Sequence, residues 1–141
     1  MDDYILLIYR LLDYFFIIFH TALIFFNVFG WIWVKTRLWN FITLNLTAFS
    51  WFVLGIWYGW GYCFCTDWHW GIRAKLELPI YSNSYISFLI YILTGSKFSQ
   101  QLVDTTTLIV FVCSYGISTY FQFKKLLKKI KNCLEFIKVK S

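Results

Sequence analysis

Charged residues are scarce in this chain of 141 residues, because Asp, Glu, Lys and Arg together make up only 14% of it. Soluble proteins carry about 25% charged and about 45 to 50% apolar residues. Here 60% of the chain is hydrophobic and 24% is aromatic. A soluble domain of this composition would leave large apolar patches in water, and a disordered chain would lack these aromatic and aliphatic residues. The composition therefore predicts a small all-α membrane protein.

Net charge is also absent over most of the chain. Residues 1–123 have six basic and six acidic side chains, so the net charge of +6 belongs to residues 124–141. That segment combines Glu135 with seven lysines, at positions 124, 125, 128, 129, 131, 138 and 140. A nucleic-acid-binding domain would place aromatic platforms beside its basic face. The aromatic residues lie elsewhere here, so we expect no nucleic-acid partner.

Three hydrophobic segments are long enough to cross a bilayer, which takes about 20 apolar residues. We expect them at about residues 12–34, 38–60 and 102–123, within a single transmembrane domain of residues 1–123. The first segment differs from a cleaved signal peptide, because Asp2 and Asp3 stand where a signal would carry lysine or arginine.

The expected outer loop, residues 61–101, contains the only proline of the chain, Pro79. Its one apolar run is too short to span, and Gly95 provides a C-terminal cap. We expect a short interfacial or re-entrant helix over residues 83–95.

Basic residues in short flanking segments predict the orientation. With three spans, the turn containing Lys35 and Arg37 lies on the same side as the lysine tail. The opposite loop has only three basic residues, Arg73, Lys75 and Lys97. We therefore expect a multi-pass protein of the bacterial inner membrane with its N-terminus outside and its C-terminus in the cytoplasm.

Each expected span carries a stripe of polar residues, which is costly in a membrane unless the stripe faces protein or water. Asp13, His20 and Asn27 recur every seven residues in the first span, so they share a helix face. The stripe of the second span consists of Asn40, Thr43, Thr47 and Ser50, and that of the third consists of Asp104, Thr107, Ser114, Ser118 and Gln122. We interpret Asn27, Thr47 and Ser114 as helix-packing residues, while a polar cavity or proton path is the alternative.

Gly55 and Gly59 form a GxxxG motif on another face of the second span. Small residues at this spacing let two helix backbones approach closely, so we predict that both glycines pack against a neighbouring helix.

The outer loop holds the segment GYCFCTDWHW, in which Cys63, Cys65, Asp67 and His69 occupy alternate positions. All four residue types bind zinc, but structural zinc sites use Cys pairs separated by two to four residues. We therefore predict no metal here and keep these four as the candidate ligands, with a disulfide as a further alternative.

The sequence contains no standard catalytic motif. An enzyme would draw on His20, Asp13, Asp104 and Cys63, together with His69. His69 is expected outside the membrane and His20 within it, which makes them poor axial ligands for a haem. We expect no cofactor.

The segment HTALIFFNVFGW, the basic turn and GYCFCTDWHW resemble a family of small bacterial membrane proteins of unknown function, in a Bacteroidetes-type branch. That family places a histidine in its first helix, a glycine ten residues later and a Cys-Pro-Leu-Thr-like motif after its second helix. The corresponding positions here are His20, Gly30, Cys63 and Thr66. The resemblance implies no established activity.

The tail, residues 124–141, has the pattern of a basic amphipathic helix continuous with the third span. We expect its apolar stripe on the acyl boundary and five lysines among anionic headgroups. These anchoring residues are Lys124, Lys125, Lys128, Lys129 and Lys131.

These observations predict a non-catalytic accessory or scaffold subunit of a larger inner-membrane complex, in contact with other membrane subunits or with further copies of itself. Two alternatives stay open. One is a membrane-embedded redox or metal-dependent enzyme that uses His20 and the Cys63/His69 loop. The other is a component of a small-molecule or lipid transporter.

The three-span topology makes a direct prediction. Single reactive cysteines introduced at Ser82 and Thr36 should be labelled from opposite sides of the membrane, because one span separates the two loops. Labelling of intact cells with an impermeant maleimide measures this. Equal labelling of both positions from outside would contradict three spans.

Overall fold

The computed structural model describes residues 3–140 and consists of five helices connected by short loops. They are α1 (Asp3–Phe29), α2 (Arg37–Tyr58), α3 (Phe64–Lys75), α4 (Tyr85–Thr94) and α5 (Gln100–Lys140). The described residues contain no β-strand, so the all-α prediction is confirmed. Of the tail, Ser141 and the side chains of residues 136–140, including the predicted lysines 138 and 140, lie outside the described part, as do Met1 and Asp2.

Three of these helices, α1, α2 and α5, are long and apolar enough to cross a membrane. The ten-residue α4 is only about 15 Å long at 1.5 Å per residue, half the hydrocarbon thickness. It begins after Ser84 and ends at Gly95, whose left-handed conformation terminates the helix. The prediction of three helices long enough to span and of a short helix near residues 83–95 is therefore confirmed, whereas α3 in the same loop was not predicted.

The helices bury polar residues and expose apolar ones. The buried residues of α1 are Asp13, His20 and Asn27, the three members of the predicted stripe. On the same helix Ile18 is 70% exposed and Phe25 is 58% exposed. This inverted arrangement is stable where the surroundings are lipid, because the bilayer solvates apolar side chains and leaves polar ones to bond one another.

Close backbone contact joins α1 to α2 around the turn between them. The Asn40 side-chain amide donates hydrogen bonds to the carbonyl oxygens of Phe26, at 2.7 Å, and Asn27, at 3.2 Å. The Asn27 amide in turn donates to the Thr47 hydroxyl at 2.9 Å. Gly30 permits this approach, because a Cβ at that position would lie 3.0 Å from Nδ2 of Asn40.

The same turn also contacts α5. The Arg37 guanidinium lies 3.8 Å from the centroid of the Phe121 ring, and its Nε donates to the Trp31 carbonyl at 3.0 Å. Because Phe121 precedes Lys124 by three residues, the basic turn and the start of the lysine tail lie at the same end of the bundle.

The α5 stripe is only partly internal. Ser114 and Ser118 are buried, and the Tyr115 hydroxyl donates to Oδ1 of Asn45 on α2 at 3.1 Å. Asp104 is exposed and accepts two hydrogen bonds from Gln100, one turn earlier in its own helix. The expectation that Asp104 faces the interior is wrong, because it lies in the second turn of α5, where a local donor satisfies it.

After α2 the chain folds back along the helix that it has just left. The Ser50 hydroxyl donates to the Tyr62 carbonyl at 2.9 Å, although Ser50 lies eight residues, or about 12 Å, before the end of α2. Ser50 belongs to a π-helical turn, Phe49–Leu54, within α2. The reversal uses positive φ angles at Gly59 (103°) and Gly61 (77°).

This reversal replaces the predicted GxxxG contact. A Cβ at Gly55 would lie 3.6 Å from Cα of Trp60, so Gly55 packs against the turn of its own chain. A Cβ at Gly59 would meet no atom within 4 Å. The helix-packing assignment of Gly55 and Gly59 is corrected accordingly, since both glycines serve the turn that brings α3 back towards the bundle.

Gly30 provides a test of the α1–α2 contact. We expect Gly30→Ala to destabilise the protein by about 1–3 kcal/mol, because the new Cβ would overpack the turn. It would lie 2.5 Å from the Phe26 carbonyl oxygen. The matched control is Gly116→Ala, whose Cβ meets no atom within 4 Å in the middle of α5. The midpoint of thermal unfolding in detergent measures both variants. A midpoint for Gly30→Ala at or above that of the unmodified protein would contradict the contact.

Candidate functional site

An ion-paired carboxylate joins the first span to α3. Oδ1 of Asp13 lies 2.7 Å from Nε2 of His69 and 3.1 Å from Nη1 of Arg73, which also lies 3.3 Å from Oδ2. His69 and Arg73 are four residues apart, so both project from one face of α3. All three residues are buried, and His69 is fully so. A charge at such depth is stable only when it is paired, and Arg73 supplies the opposite charge.

His69 contacts Asp13 as a neutral hydrogen-bond donor. Burial lowers the pKa of His69 from its usual 6.5, and this effect outweighs the opposing hydrogen bond and charge of Asp13. At neutral pH the ring therefore donates its Nε2 proton to the carboxylate without adding a second positive charge. A histidine whose pKa is depressed favours the fold above about pH 6.5, and that stabilisation is lost as the pH falls from there towards the depressed value.

Aromatic side chains enclose the ion pair. The His69 ring stacks on Phe16 at 5.7 Å and on Trp70 at 5.2 Å, and meets the edge of Phe88 at 5.9 Å. The Arg73 guanidinium lies 4.8 Å from the centroid of the Phe88 ring. This packing keeps water from the Asp13 pair, which strengthens its electrostatic attraction.

A second pair lies further along α1 and α3. Nε2 of His20 lies 3.8 Å from Sγ of Cys63, the residue that caps the N-terminus of α3. His20 is seven residues after Asp13, and Cys63 is six residues before His69, so α1 and α3 run antiparallel along this contact. The helix that lies along α1 is therefore α3, which was not predicted.

Electrostatics set the Cys63 thiol apart from an ordinary cysteine. A hydrogen bond from Cys65 lowers the pKa of Cys63 to about 3, against the opposing effect of burial, and the hydrogen bond and charge of His20 act in the same direction as Cys65. The same Cys63–Cys65 hydrogen bond, together with burial, raises the pKa of Cys65. These effects favour the thiolate form of Cys63 and the protonated form of Cys65.

Tyr85 links the two pairs from α4. Its ring stacks on His20 at a centroid distance of 3.9 Å and lies 6.0 Å from His69, while its hydroxyl donates to the Ile17 carbonyl. The expected separation of the two histidines is therefore wrong, because the chain reversal brings α3 down to the polar stripe of α1. Nε2 of each histidine already contacts a side chain, Cys63 or Asp13, and the Tyr85 ring contacts both imidazoles.

Of the other predicted site residues, Asp67 and Asp104 lie apart from this cluster. Asp67 is exposed and accepts a hydrogen bond from the Tyr62 hydroxyl at 3.2 Å, whereas Cys65 is buried. No three His, Cys, Asp or Glu side chains among the described residues are grouped so that they could hold a metal ion. Asp104 remains with Gln100 on α5, so of the four catalytic candidates only Asp13, His20 and Cys63 belong to the cluster.

Sequence reasoning missed Arg73, Trp70, Tyr85 and Phe88. For Arg73 a signal was present, because its spacing of four residues from His69 predicts a shared helix face once α3 is recognised as a helix. Phe88 and Tyr85 carry no such signal, because 24% of the chain is aromatic and nothing in the sequence distinguishes these two from the other aromatic residues.

The ion pair makes a prediction about stability. We expect Asp13→Asn to destabilise the protein by about 3–5 kcal/mol, because the buried Arg73 loses the one carboxylate paired with it among the described residues. Asp104→Asn is the matched control and should change the unfolding midpoint little, since that carboxylate is exposed. Unfolding followed by circular dichroism in detergent measures both. Equal midpoints for the two variants would show that the Asp13 pair does not hold α3 in place.

Residues 10–122 match the model of a family described as "Protein of Unknown function (DUF2784)". No curated protein and no solved structure matches the chain. The matched region contains both pairs of the cluster and ends before the first lysine of the tail. Since the family model covers most of its length, the chain belongs to DUF2784, a family of unknown function.

Proposed function

We propose that this protein is an accessory subunit of a larger complex in the bacterial inner membrane. The observation that supports this role is that polar side chains of the spans bond one another across helices. Asn27 bonds Thr47, Asn40 bonds the backbone of α1, and Tyr115 bonds Asn45. Such bonds hold a bundle together, contributing about 0.6 kcal/mol each. A transporter would instead require these groups to face a water-filled path.

The exposed surface of the spans suits contact with other membrane helices. Leu46 on α2 is 59% exposed and Ile109 on α5 is 58% exposed, and both lie within membrane-crossing helices. The partner of an accessory subunit would be another apolar helix, or another copy of this chain, packed on such a face.

The proposed orientation places the N-terminus outside and the lysine tail in the cytoplasm. Arg37 against Phe121 puts the basic turn and the tail at one end, and basic residues concentrate on the cytoplasmic side of membrane proteins. The tail side chains described in the structure are exposed, including Leu126, Leu127 and Ile130. Near anionic headgroups each lysine contributes about 1 kcal/mol, so the five anchoring lysines hold this end of α5 at the cytoplasmic surface.

Photo-cross-linking in native membranes tests the accessory role. A photoreactive amino acid replaces Leu46 in one variant and Ile109 in a second, two positions of equal exposure on different spans. We expect a protein adduct of defined mass from at least one position. We also expect the same partner to co-purify with the unmodified chain in mild detergent at a fixed ratio.

Lipid adducts alone from both positions, with a chain that purifies as a monomer, would overturn the proposal. Metal analysis and an absorption spectrum of the same sample distinguish the accessory role from the enzyme alternative. A stoichiometric metal or chromophore without a partner would favour that alternative.

A further inference from the structure

Cys63 combines several features that are rarely found at a structural cysteine. It lies at the N-terminus of the twelve-residue helix α3, where the helix dipole favours negative charge. It is half-buried, so the sulfur is within reach of a small reagent. Buried structural cysteines, by contrast, sit in apolar surroundings without a polar partner.

His20 provides an independent observation. Only 6% of His20 is exposed, and its Nε2 is directed at the Cys63 sulfur. Its other nitrogen, Nδ1, is buried and has no hydrogen-bond partner among the described residues. A buried imidazole with one nitrogen on a thiol is the arrangement that activates a sulfur nucleophile.

The second cysteine defines the kind of chemistry. Cys65 is two residues after Cys63, buried in the first turn of the helix that Cys63 precedes. Metal binding would need a third ligand, and the described residues contain no such group of three. Two adjacent thiols, one of them activated, are the minimum for thiol–disulfide exchange.

We propose that Cys63, Cys65 and His20 form a dithiol site that reduces an apolar disulfide. Phe64, between the two cysteines, is 40% exposed, and Trp60, three residues before Cys63, is 72% exposed, so an apolar substrate is favoured over a charged one. The site requires no partner subunit and is therefore independent of the accessory role.

The exchange balances in two steps. The Cys63 sulfur attacks one sulfur of the substrate disulfide, that S–S bond breaks, and the leaving sulfur takes the proton held in the Cys63–His20 pair. The Cys65 thiol then attacks the Cys63 sulfur of the mixed disulfide, and its proton passes to the second leaving sulfur. Two substrate thiols are released, and the two electrons come from the protein, which is left with a Cys63–Cys65 disulfide.

Several titratable groups surround Cys63. His20 faces it from α1, Cys65 from α3 and the Tyr62 phenol from the preceding turn, while Tyr85 of α4 stacks on His20. Asp67, which accepts from Tyr62, supplies a negative charge on the solvent side. On α2, Ser50 meets the turn through an uncharged hydroxyl. His20 is thus the basic side chain in direct contact with the sulfur.

The test uses the full chain in lipid nanodiscs with Cys113→Ser and Cys133→Ser as background, because both of these cysteines are exposed. The reduced protein reacts with 4,4′-dithiodipyridine, an apolar disulfide, and the released thiopyridone is counted. We expect two per protein from the background chain. Cys65→Ser should release one thiopyridone and retain a mixed disulfide that mass spectrometry detects. Cys63→Ser should release none at the rate at which the background chain reacts.

Alkylation by iodoacetamide as a function of pH tests the role of His20. The rate at Cys63, measured with Cys65→Ser, which keeps a hydroxyl donor, should rise less steeply between pH 6 and 8 than the tenfold per unit of an ordinary thiol, and His20→Gln should make the rise steeper. A chain that retains Cys133 alone, exposed in the tail, is the matched control for an ordinary thiol. Correct folding of each variant is checked by its unfolding midpoint.

Three results would each overturn the proposal. One is fast reaction of Cys63→Ser equal to that of the background chain. Another is release of a single thiopyridone by the background chain, which would leave Cys65 without a role. The third is an ordinary pH profile for Cys63 that His20→Gln does not change. Equal rates with charged glutathione disulfide would overturn the assignment of an apolar substrate.

Discussion

The contact between Asp13 and the pair His69 and Arg73 organises the part of this molecule that lies away from the lysine tail. A carboxylate in a transmembrane helix needs a charged or hydrogen-bonding partner. The cation here is Arg73 on α3, and α3 reaches Asp13 because the chain reverses direction after α2. Once α3 lies along α1, the position of Cys63 beside His20 follows from the antiparallel register. The whole cluster therefore depends on one buried ion pair.

The interior of the bundle meets the same requirement, because its buried polar groups also need partners within the protein. In lipid, backbone and side-chain polar groups find partners within the protein, because no water competes for them. Asn27, Asn40 and Thr47 meet this requirement between α1 and α2, and Asn45 and Tyr115 meet it between α2 and α5. The apolar residues are left to face outward, so specificity of packing comes from a few amides and hydroxyls.

Much of this architecture could be predicted from local patterns. The seven-residue spacing of Asp13, His20 and Asn27 predicts their shared buried face, and run length predicts three spans. Local patterns do not predict where the segment from Phe64 to Lys75 lies, because it is short and polar. Its placement depends on the contact of His69 with Asp13, which is 56 positions away. Gly55 and Gly59 were misassigned for a related reason. The same spacing serves a helix contact or a chain reversal, and only the tertiary fold decides between them.

The unbroken course of α5 has a mechanical consequence. The helix extends over 41 residues, about 60 Å, and contains neither proline nor glycine after Gly116, so it lacks the usual sites of a kink. Residues 124–135 form a lever arm of about 18 Å on the bundle. A load on that arm would turn the layer of Ser114 and Ser118 against α2, and it would also reach α1, which α5 contacts directly. The lysine-rich end is thus mechanically coupled to both of the other long helices.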